Sequence, residues 1–272
     1  MRVNEDVLNV LDGGLNIRET SVVLLEQLDR KLYTGVNKVL EACGGKWNRK
    51  AKAHVFESDP TDLLQAVVDS GEVMTARDIG FFETPVELAR ELVAAVHVRC
   101  GDICLEPSAG TGRIVMALAE GGAQQITAVE YDKGRQKVLR DLGVLLLNAP
   151  TVHRSPLARF SLIAVGDFMN VGLADFWPRC PVDRVVMNPP FCKVGLGNHL
   201  DHVQHAFGML RPGGELISVL PISIQYRNDK RHTAFREWYK GLAGDVRDLS
   251  PEAFKESGTL VRTCTLLIRK AG

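Results

Sequence analysis

A chain of 272 residues is long enough for one large hydrophobic core with a small appendage, or for two modest domains. Hydrophobic residues make up 45 % and charged residues 24 %, and 33 Lys and Arg balance 33 Asp and Glu to a formal net charge of +0. That balance excludes a broadly basic coat for wrapping nucleic acid and an acidic disordered tail, so any phosphate-binding surface has to be local.

The chain opens on MRVNEDVLNV, too polar for a signal peptide, and no apolar run approaches the roughly 18 residues that span a bilayer. A cytoplasmic protein without membrane contact is expected. The six cysteines (Cys43, Cys100, Cys104, Cys180, Cys192, Cys264) never form a CxxC pair. They read as structural or incidental thiols, and no metal site is expected.

Residues 1–75 form a charged segment expected to fold as a small α+β accessory domain. Within it, residues 21–45 read as one or two amphipathic helices. Leu24, Leu25, Leu28, Leu32, Val36, Val39 and Leu40 recur at helical steps, and Gly44-Gly45 ends the run. The stretch KWNRKAKAHVF reads as a short strand pair or an extended segment, and residues 60–72 as a further short helix. Residues 76–272 have a different rhythm. A helix follows Thr84-Pro85, which reads as a cap and first turn. Short apolar strands then alternate with helices: DICLEP, ITAVE, LIAVGD, DRVVMNPP and ELISVLP, then DVRDL and VRTCTLLIRK. The helix over HLDHVQHAFGMLR is expected to end at Pro212-Gly213-Gly214. This order implies an α/β fold, a doubly wound, Rossmann-like, seven-stranded, mostly parallel sheet. The link between the last two strands is too short for a crossover, so the last strand is expected to be antiparallel.

Where the first of these strands meets a helix, LEPSAGTGR supplies Gly110 and Gly112, which let the backbone turn sharply and approach a ligand. It lacks the Lys-Ser/Thr ending of a P-loop, and Val115 replaces the third glycine of a dinucleotide fingerprint. Glu130 ends the second strand, where a carboxylate accepts ribose hydroxyls. Glu106 beside the loop would repel a pyrophosphate but suits a ligand with a positive or amino group, such as S-adenosylmethionine (SAM). Asp167 and Phe168 follow the third strand, placed to meet an adenine ring. A plain tight turn and acidic caps are the alternative reading.

After the fourth strand comes Asn188-Pro189-Pro190-Phe191. Paired prolines stiffen the turn and hold the Asn188 side-chain oxygen and the Pro189 carbonyl in place. Two fixed acceptors suit a planar amino group, whose lone pair is otherwise delocalised, and Phe191 can stack on a base.

On these residues the chain resembles the class I SAM-dependent methyltransferases, and within them the prokaryotic and phage adenine-N6 DNA methyltransferases with an (N/D)PP(F/Y/W) motif. The resemblance covers residues 78–270. It implies SAM as cofactor, held by Phe82, Thr84 and Pro85 before the first helix and by Glu106, Pro107, Ser108, Ala109, Gly110 and Gly112. Glu130, Tyr131, Asp167, Phe168 and Asn188 complete that set. It implies catalysis by Asn188, Pro189, Pro190 and Phe191 on the N6 amine of a flipped adenine in DNA. RNA adenine or guanine and protein glutamine are alternative substrates, because enzymes acting on them share the motif. A non-catalytic SAM- or nucleic-acid-binding protein is a further alternative.

The substrate candidates are more dispersed. Lys46, Arg49, Lys50 and Lys52 surround Trp47, combining phosphate attraction with stacking. His199, His202 and His205 recur along one helix; packing is the first reading for them, with His199 the one placed to meet substrate. Lys255 and Thr259 lie between the last two strands. Lys230, Arg231, Arg236 and Lys240 form a second basic group, or a polar helix face. Monomer and homodimer remain open from sequence.

Overall fold

The computed structural model describes residues 3–57, 59–71, 73, 82–123, 125–148, 159–163, 168–175, 181–191, 199–228, 230–257 and 262–272. Residues 3–71 contain α1 (Glu5–Gly13), β1 (Leu15–Arg18), β2 (Ser21–Leu24), α2 (Arg30–Ala42), β3 (Lys46–Asn48), β4 (Ala53–Val55) and α3 (Thr61–Ser70). Their strands make an antiparallel sheet in the order β1-β2-β4-β3. The strand pair and α3 follow the sequence reading. Of the one or two helices expected over residues 21–45, the first residues are instead β2, paired with β1 from Ser21↔Arg18 to Leu24↔Leu15. The helix begins after Asp29, whose side chain accepts from the N–H groups of Lys31 (2.8 Å) and Leu32 (3.0 Å). Helix α1 was not anticipated. Asn4 caps it through the Asp6 N–H, and it buries only Val7 and Leu11, too few apolar positions to signal a period.

The remaining elements are α4 (Val86–Ala95), β5 (Ile103–Glu106), α5 (Arg113–Glu120), β6 (Gln125–Val129), α6 (Lys133–Asn148), β7 (Arg159–Ile163), β8 (Val182–Met187), α7 (His199–Gly208), β9 (Leu210–Pro221), α8 (Lys230–Gly241), β10 (Asp245–Asp248) and β11 (Thr263–Arg269). Among the described residues the second sheet has seven strands in the order β10-β11-β9-β8-β5-β6-β7. Pairing is parallel from β9 through β7, and β11 runs antiparallel to both β9 and β10. This is the doubly wound, mostly parallel sheet expected, with the antiparallel last strand inserted inside the edge strand β10.

Strand alternation divides the core into two layers. Cys104, Ile126, Ala128, Val186, Ile217 and Val219 face the layer of α4, α5 and α6, which contributes Leu92, Val115, Leu118 and Leu139. Leu105, Val129, Val185, Met187, Leu216 and Leu220 face α7 and α8 through Leu200, Val203, Phe235 and Tyr239. The first layer is continuous with Val36, Leu40, Leu64 and Val67 of the amino-terminal elements. Arg227 after β9 also lies 3.6 Å from Asp59 before α3. No helix among the described residues is long and apolar enough to cross a membrane.

Two boundaries differ from the sequence reading. Helix α7 stops at Gly208, not at Pro212-Gly213-Gly214. Those residues lie inside β9, where the register jumps from Val182↔Leu210 to Arg184↔Glu215 and Gly213 takes φ +75°. Lys270 closes the helix end instead, donating to the carbonyls of Gly208 (3.1 Å) and Leu210 (2.6 Å). Strand β7 lies at Arg159–Ile163, earlier than the LIAVGD expected. The residues that follow it, including Asp167, are outside the described set.

Candidate active site

Strand order changes direction at β5: the chain moves outward through β6 and β7, then returns to β5's other side with β8. The crevice outside the carboxyl ends at such a switch point is where open α/β sheets take ligands. Glu106 ends β5, Asn188 follows β8, and Glu130 follows β6, so the three meet at this edge.

The loop from β5 to α5 is shaped by tethers to β6. Ala109 N–H donates to the Val129 carbonyl (2.9 Å) and Gly110 N–H to Glu130 Oε2 (2.8 Å). Gly110 and Gly112 hold φ of +57° and +93°, in the left-handed region that favours glycine. A Cβ on Gly112 would stand 2.3 Å from Leu142 Cδ2 and 2.9 Å from Leu139 Cδ2. Gly112→Ala is therefore expected to lower stability by roughly 2–4 kcal/mol, the sum of left-handed strain and overpacking. Thermal and denaturant unfolding measure this, and an unchanged melting temperature would contradict the loop geometry.

Glu106 is fully buried, and its Oε1 accepts from Ser108 N–H (3.0 Å). Its Oε2 has no hydrogen-bond partner among the described residues. Burial pushes this carboxyl well above the ordinary carboxylate range; the Ser108 hydrogen bond opposes the shift and nearby Glu130 adds to it. Glu130, at 5 % exposure, is held differently. Its Oε1 accepts from Asp132 N–H (2.7 Å) and from Arg135 Nε and Nη2 (3.1 and 3.0 Å). A carboxylate oxygen carries two lone pairs. Beyond the Gly110 bond, then, Oε2 keeps one acceptor position for a hydroxyl.

Asn188 is fixed by the segment before α4. Its Nδ2 donates to the Phe82 carbonyl and to Thr84 Oγ1, both at 3.1 Å. No described residue donates to its Oδ1. The amide is thereby turned with its acceptor outward. Thr84 was read as a helix cap; Pro85 occupies the N-cap position, and the Thr84 hydroxyl turns to Asn188 instead. The same segment is stapled to the glycine loop. Glu83 pairs with Arg113 (2.7 Å) and accepts from Thr111 Oγ1, and Arg113 Nη1 donates to the Thr84 carbonyl (3.3 Å). Sequence reasoning missed Glu83, Thr111 and Arg113; their only signal is position, each lying inside or next to a motif.

Three rings named as candidate ligand contacts are buried in this structure. Phe191 is 3 % exposed, its ring centroid 6.1 Å from Phe82 and 6.2 Å from His199, so it lies under the loop and not on an open face. Phe168 is 4 % exposed and packs on α7, 4.9 Å from His205 and 5.5 Å from His202. His199 is fully buried, with Nδ1 2.9 Å from the Phe191 carbonyl. It supports the Asn-Pro-Pro-Phe turn from below and cannot touch substrate in this arrangement. Apolar packing accounts for all three, because each ring faces a core layer.

The other candidates are placed as follows. Pro189 is buried and Pro190 half-buried beside Asn188; Pro107, Ser108 and Ala109 lie in the loop; Tyr131 is 49 % exposed at its rim. Lys255 is exposed in the loop between β10 and β11, 4.0 Å from Glu252. That loop joins the sheet at Thr263↔Pro221, on the carboxyl edge of β9. Thr259 is outside the described residues. Lys46, Trp47, Arg49, Lys50 and Lys52 are all exposed on or beside β3. On α8, Arg231 pairs with Asp201, and Arg236 donates to the carbonyls of Ile224 and Arg227. Those two are structural, not a free basic patch. Cys43, Cys104 and Cys264 are buried, and burial raises all three thiols, Cys43 and Cys264 to about 12. Cys100 is exposed, and Cys180 and Cys192 lie outside the described residues. No cluster of three His, Cys, Asp or Glu among the described residues is arranged to hold a metal ion.

No protein-family model matches the sequence, and no curated protein is significantly similar to it. Solved structures do match the fold. A putative class I S-adenosylmethionine-dependent methyltransferase from Listeria monocytogenes shares 17 % identity at a TM-score of 0.52, over 70 % of this chain and 61 % of that one. A modification subunit of a putative type I restriction enzyme from Vibrio vulnificus YJ016 shares 17 % at a TM-score of 0.56, over 71 % of this chain and 45 % of that one. A chain from a type I restriction-modification system shares 18 % at 0.52, over 89 % of this chain and 51 % of that one. This chain has the fold of class I SAM-dependent methyltransferases, and it spans only about half to three-fifths of the length of these matches.

Proposed function

We propose that this protein transfers a methyl group from SAM to the exocyclic N6 of adenine in DNA. The observation that carries the reading is Asn188, clamped through its Nδ2 with its Oδ1 left without a donor among the described residues, at the switch point of a methyltransferase fold. The site residues fit SAM on two counts. Glu106 Oε2 is a buried acceptor without a partner, suited to the ammonium of the methionine part. The glycine loop keeps a backbone cradle open, with Glu130 Oε2 retaining one acceptor position toward a ribose. Phe82, Thr84 and Pro85 would border the methionine part, and Tyr131, Asp167 and Phe168 the adenosine part. When bound, SAM supplies an electrophilic methyl on a sulfonium whose departure as a neutral thioether needs no acid.

The chain's own part is to prepare the nucleophile. An adenine amine is planar because its lone pair is shared with the ring. Asn188 Oδ1 and the Pro189 carbonyl accept its two hydrogens, draw the nitrogen toward a tetrahedral form, and aim the lone pair at the methyl. Pro189 and Pro190 hold these acceptors still, so little reorganisation is left for the reaction step. The nitrogen loses its proton to water only after it has become cationic, so no strong base is required. A duplex substrate must extrude the base to reach this edge. Phe191 must then move from under the loop to stack on that base. His199, bonded to its carbonyl, sets that turn's rest position.

In this reading residues 76–272 are the transfer unit and residues 1–75 the module that meets DNA. The Arg227–Asp59 contact joins the module to the segment after β9, on the carboxyl edge of the sheet. Labelled methyl offered from SAM to unmethylated duplex DNA, ribosomal RNA and protein extract in parallel tests the reading. Label is expected in DNA; label confined to RNA or protein would overturn it in favour of those substrates.

A further inference from the structure

Cross-strand pairing sorts the side chains of the amino-terminal sheet onto two faces, because directly opposed residues share a face and successive ones alternate. Ile17, Val22, His54 and Trp47 form one row across β1, β2, β4 and β3. Most of that face is covered: Val22 belongs to the core and Ile17 and Leu24 pack on it, while His54 Nε2 lies 2.8 Å from Asn37 Oδ1 of α2; Trp47, at the β3 margin, is 46 % exposed. The opposite face carries the row Arg18, Ser21, Val55 and Lys46, next to Asn16, Val23 and Asn48. Its apolar members, Val23, Val55 and Ala53, belong to neither core cluster; Val23 is 41 % exposed and Val55 half-buried, while Ala53 is buried.

The charge carried by the strands of this face is cationic, and the nearest exposed acids, Glu19 and Glu57, lie in the β1–β2 turn and just after β4. No strand of the sheet contains an acidic residue. Arg18 and Lys46 are exposed and form no ion pair or side-chain hydrogen bond with the described residues. Three strand spacings separate β1 from β3, which puts the two cations about 14 Å apart at the margins of the face. The β3–β4 turn extends the row with Arg49, Lys50 and Lys52, also exposed. Asn48 Oδ1 shapes that turn by accepting from the Lys50 and Ala51 N–H groups at 3.0 and 3.1 Å. A single strand would want aromatic rings to stack on, but Trp47 belongs to the row of the other face. A cationic, polar face without rings suits a backbone of phosphates.

The geometry points to this open sheet face as a docking surface for the phosphate backbone of duplex DNA, with Arg18 and Lys46 as paired anchors; it rests on the DNA reading above. Neither residue is near the transfer chemistry, so their work is affinity and not catalysis. Each neutralised phosphate contributes about 0.9 to the slope of log affinity against log salt.

The test is binding of a short labelled duplex to the full chain between about 50 and 200 mM salt. The Arg18→Ala, Lys46→Ala double variant is expected to lose about 1.8 of that slope, equally on duplexes of different sequence. Arg18→Lys with Lys46→Arg should keep it. Binding of S-adenosylhomocysteine and the melting temperature should match the parent, which separates lost anchors from lost fold; Arg18→Glu alone gives a second reading of the same slope. An unchanged slope with duplex still bound would overturn this face and leave the DNA reading standing. Failure of the unaltered protein to bind duplex DNA at low salt, or binding of RNA or acidic protein in its place, would overturn both.

Discussion

The Asn188→Ala variant is expected to lose methyl transfer by about 10²–10³-fold, the scale seen when one preorganised hydrogen-bonding group is removed from a reacting centre. Its affinity for S-adenosylhomocysteine should change far less. In the proposed function Asn188 would meet the nucleophile through Oδ1, whereas the glycine loop and Glu106 would form the cofactor cradle. Asn188→Asp sharpens the test. An aspartate cannot donate to the Phe82 carbonyl, so an oxygen would face an oxygen across the 3.1 Å now bridged by Nδ2. That variant should lose activity although it keeps an acceptor. Loss of cofactor binding as large as the loss of transfer would move Asn188 out of the catalytic role.

Glu106→Gln should separate stability from function. The Glu106 carboxyl is raised by burial, so the folded state holds its proton more tightly than the unfolded chain does. Its contribution to stability is then fully present below the unfolded value of 4.5 and is lost as pH rises toward the folded value. Glutamine removes that dependence. The cofactor-free variant should melt above the parent at neutral pH and alongside it in acid. Cofactor affinity should move the other way, weakening by roughly 10- to 100-fold at neutral pH, as expected for loss of a charge-assisted hydrogen bond. Because a bound cation favours the carboxylate, parent affinity should rise with pH while the variant stays flat. Melting and titration calorimetry across pH read both arms. A variant that destabilises the free protein and binds as the parent does would show that Glu106 has a partner in solution.

Much of this was legible before any coordinates. The parallel strands announce themselves as apolar runs buried on both faces, and DICLEP and VVMNPP sit where β5 and β8 end. Gly110 and Gly112 were readable because a sharp strand-to-helix turn favours glycine, and both take left-handed φ values. What was not legible came from tertiary context. Residues 21–24 carry apolar side chains that satisfy a helical period and a strand alternation equally, and pairing with β1 decided between them. Pro212-Gly213-Gly214 resembles a helix terminator but serves as a bulge, because the strand opposite supplies its partners. Phe168 and Phe191 were read as ligand contacts and are buried in the two core layers here, while packing was the first reading for His199, which is also buried. The Glu83–Arg113 staple joins residues far apart in sequence, which no local pattern encodes.

The net charge of +0 takes on a more specific meaning in the structure. Acid gathers at the carboxyl edge as Glu106 and Glu130, while Arg18 and Lys46, without ion-pair partners among the described residues, share one face of a separate sheet whose β3–β4 turn adds Arg49, Lys50 and Lys52. Neutrality overall therefore conceals two surfaces of opposite character.

The central claim is tested most directly by nucleoside analysis of duplex DNA after incubation with SAM and the purified chain. Digestion and chromatography of the labelled product should show N6-methyladenine with the parent and about 10²–10³-fold less with Asn188→Ala. Label in cytosine, or N6-methyladenine made equally well by the Asn188→Ala variant, would contradict the account.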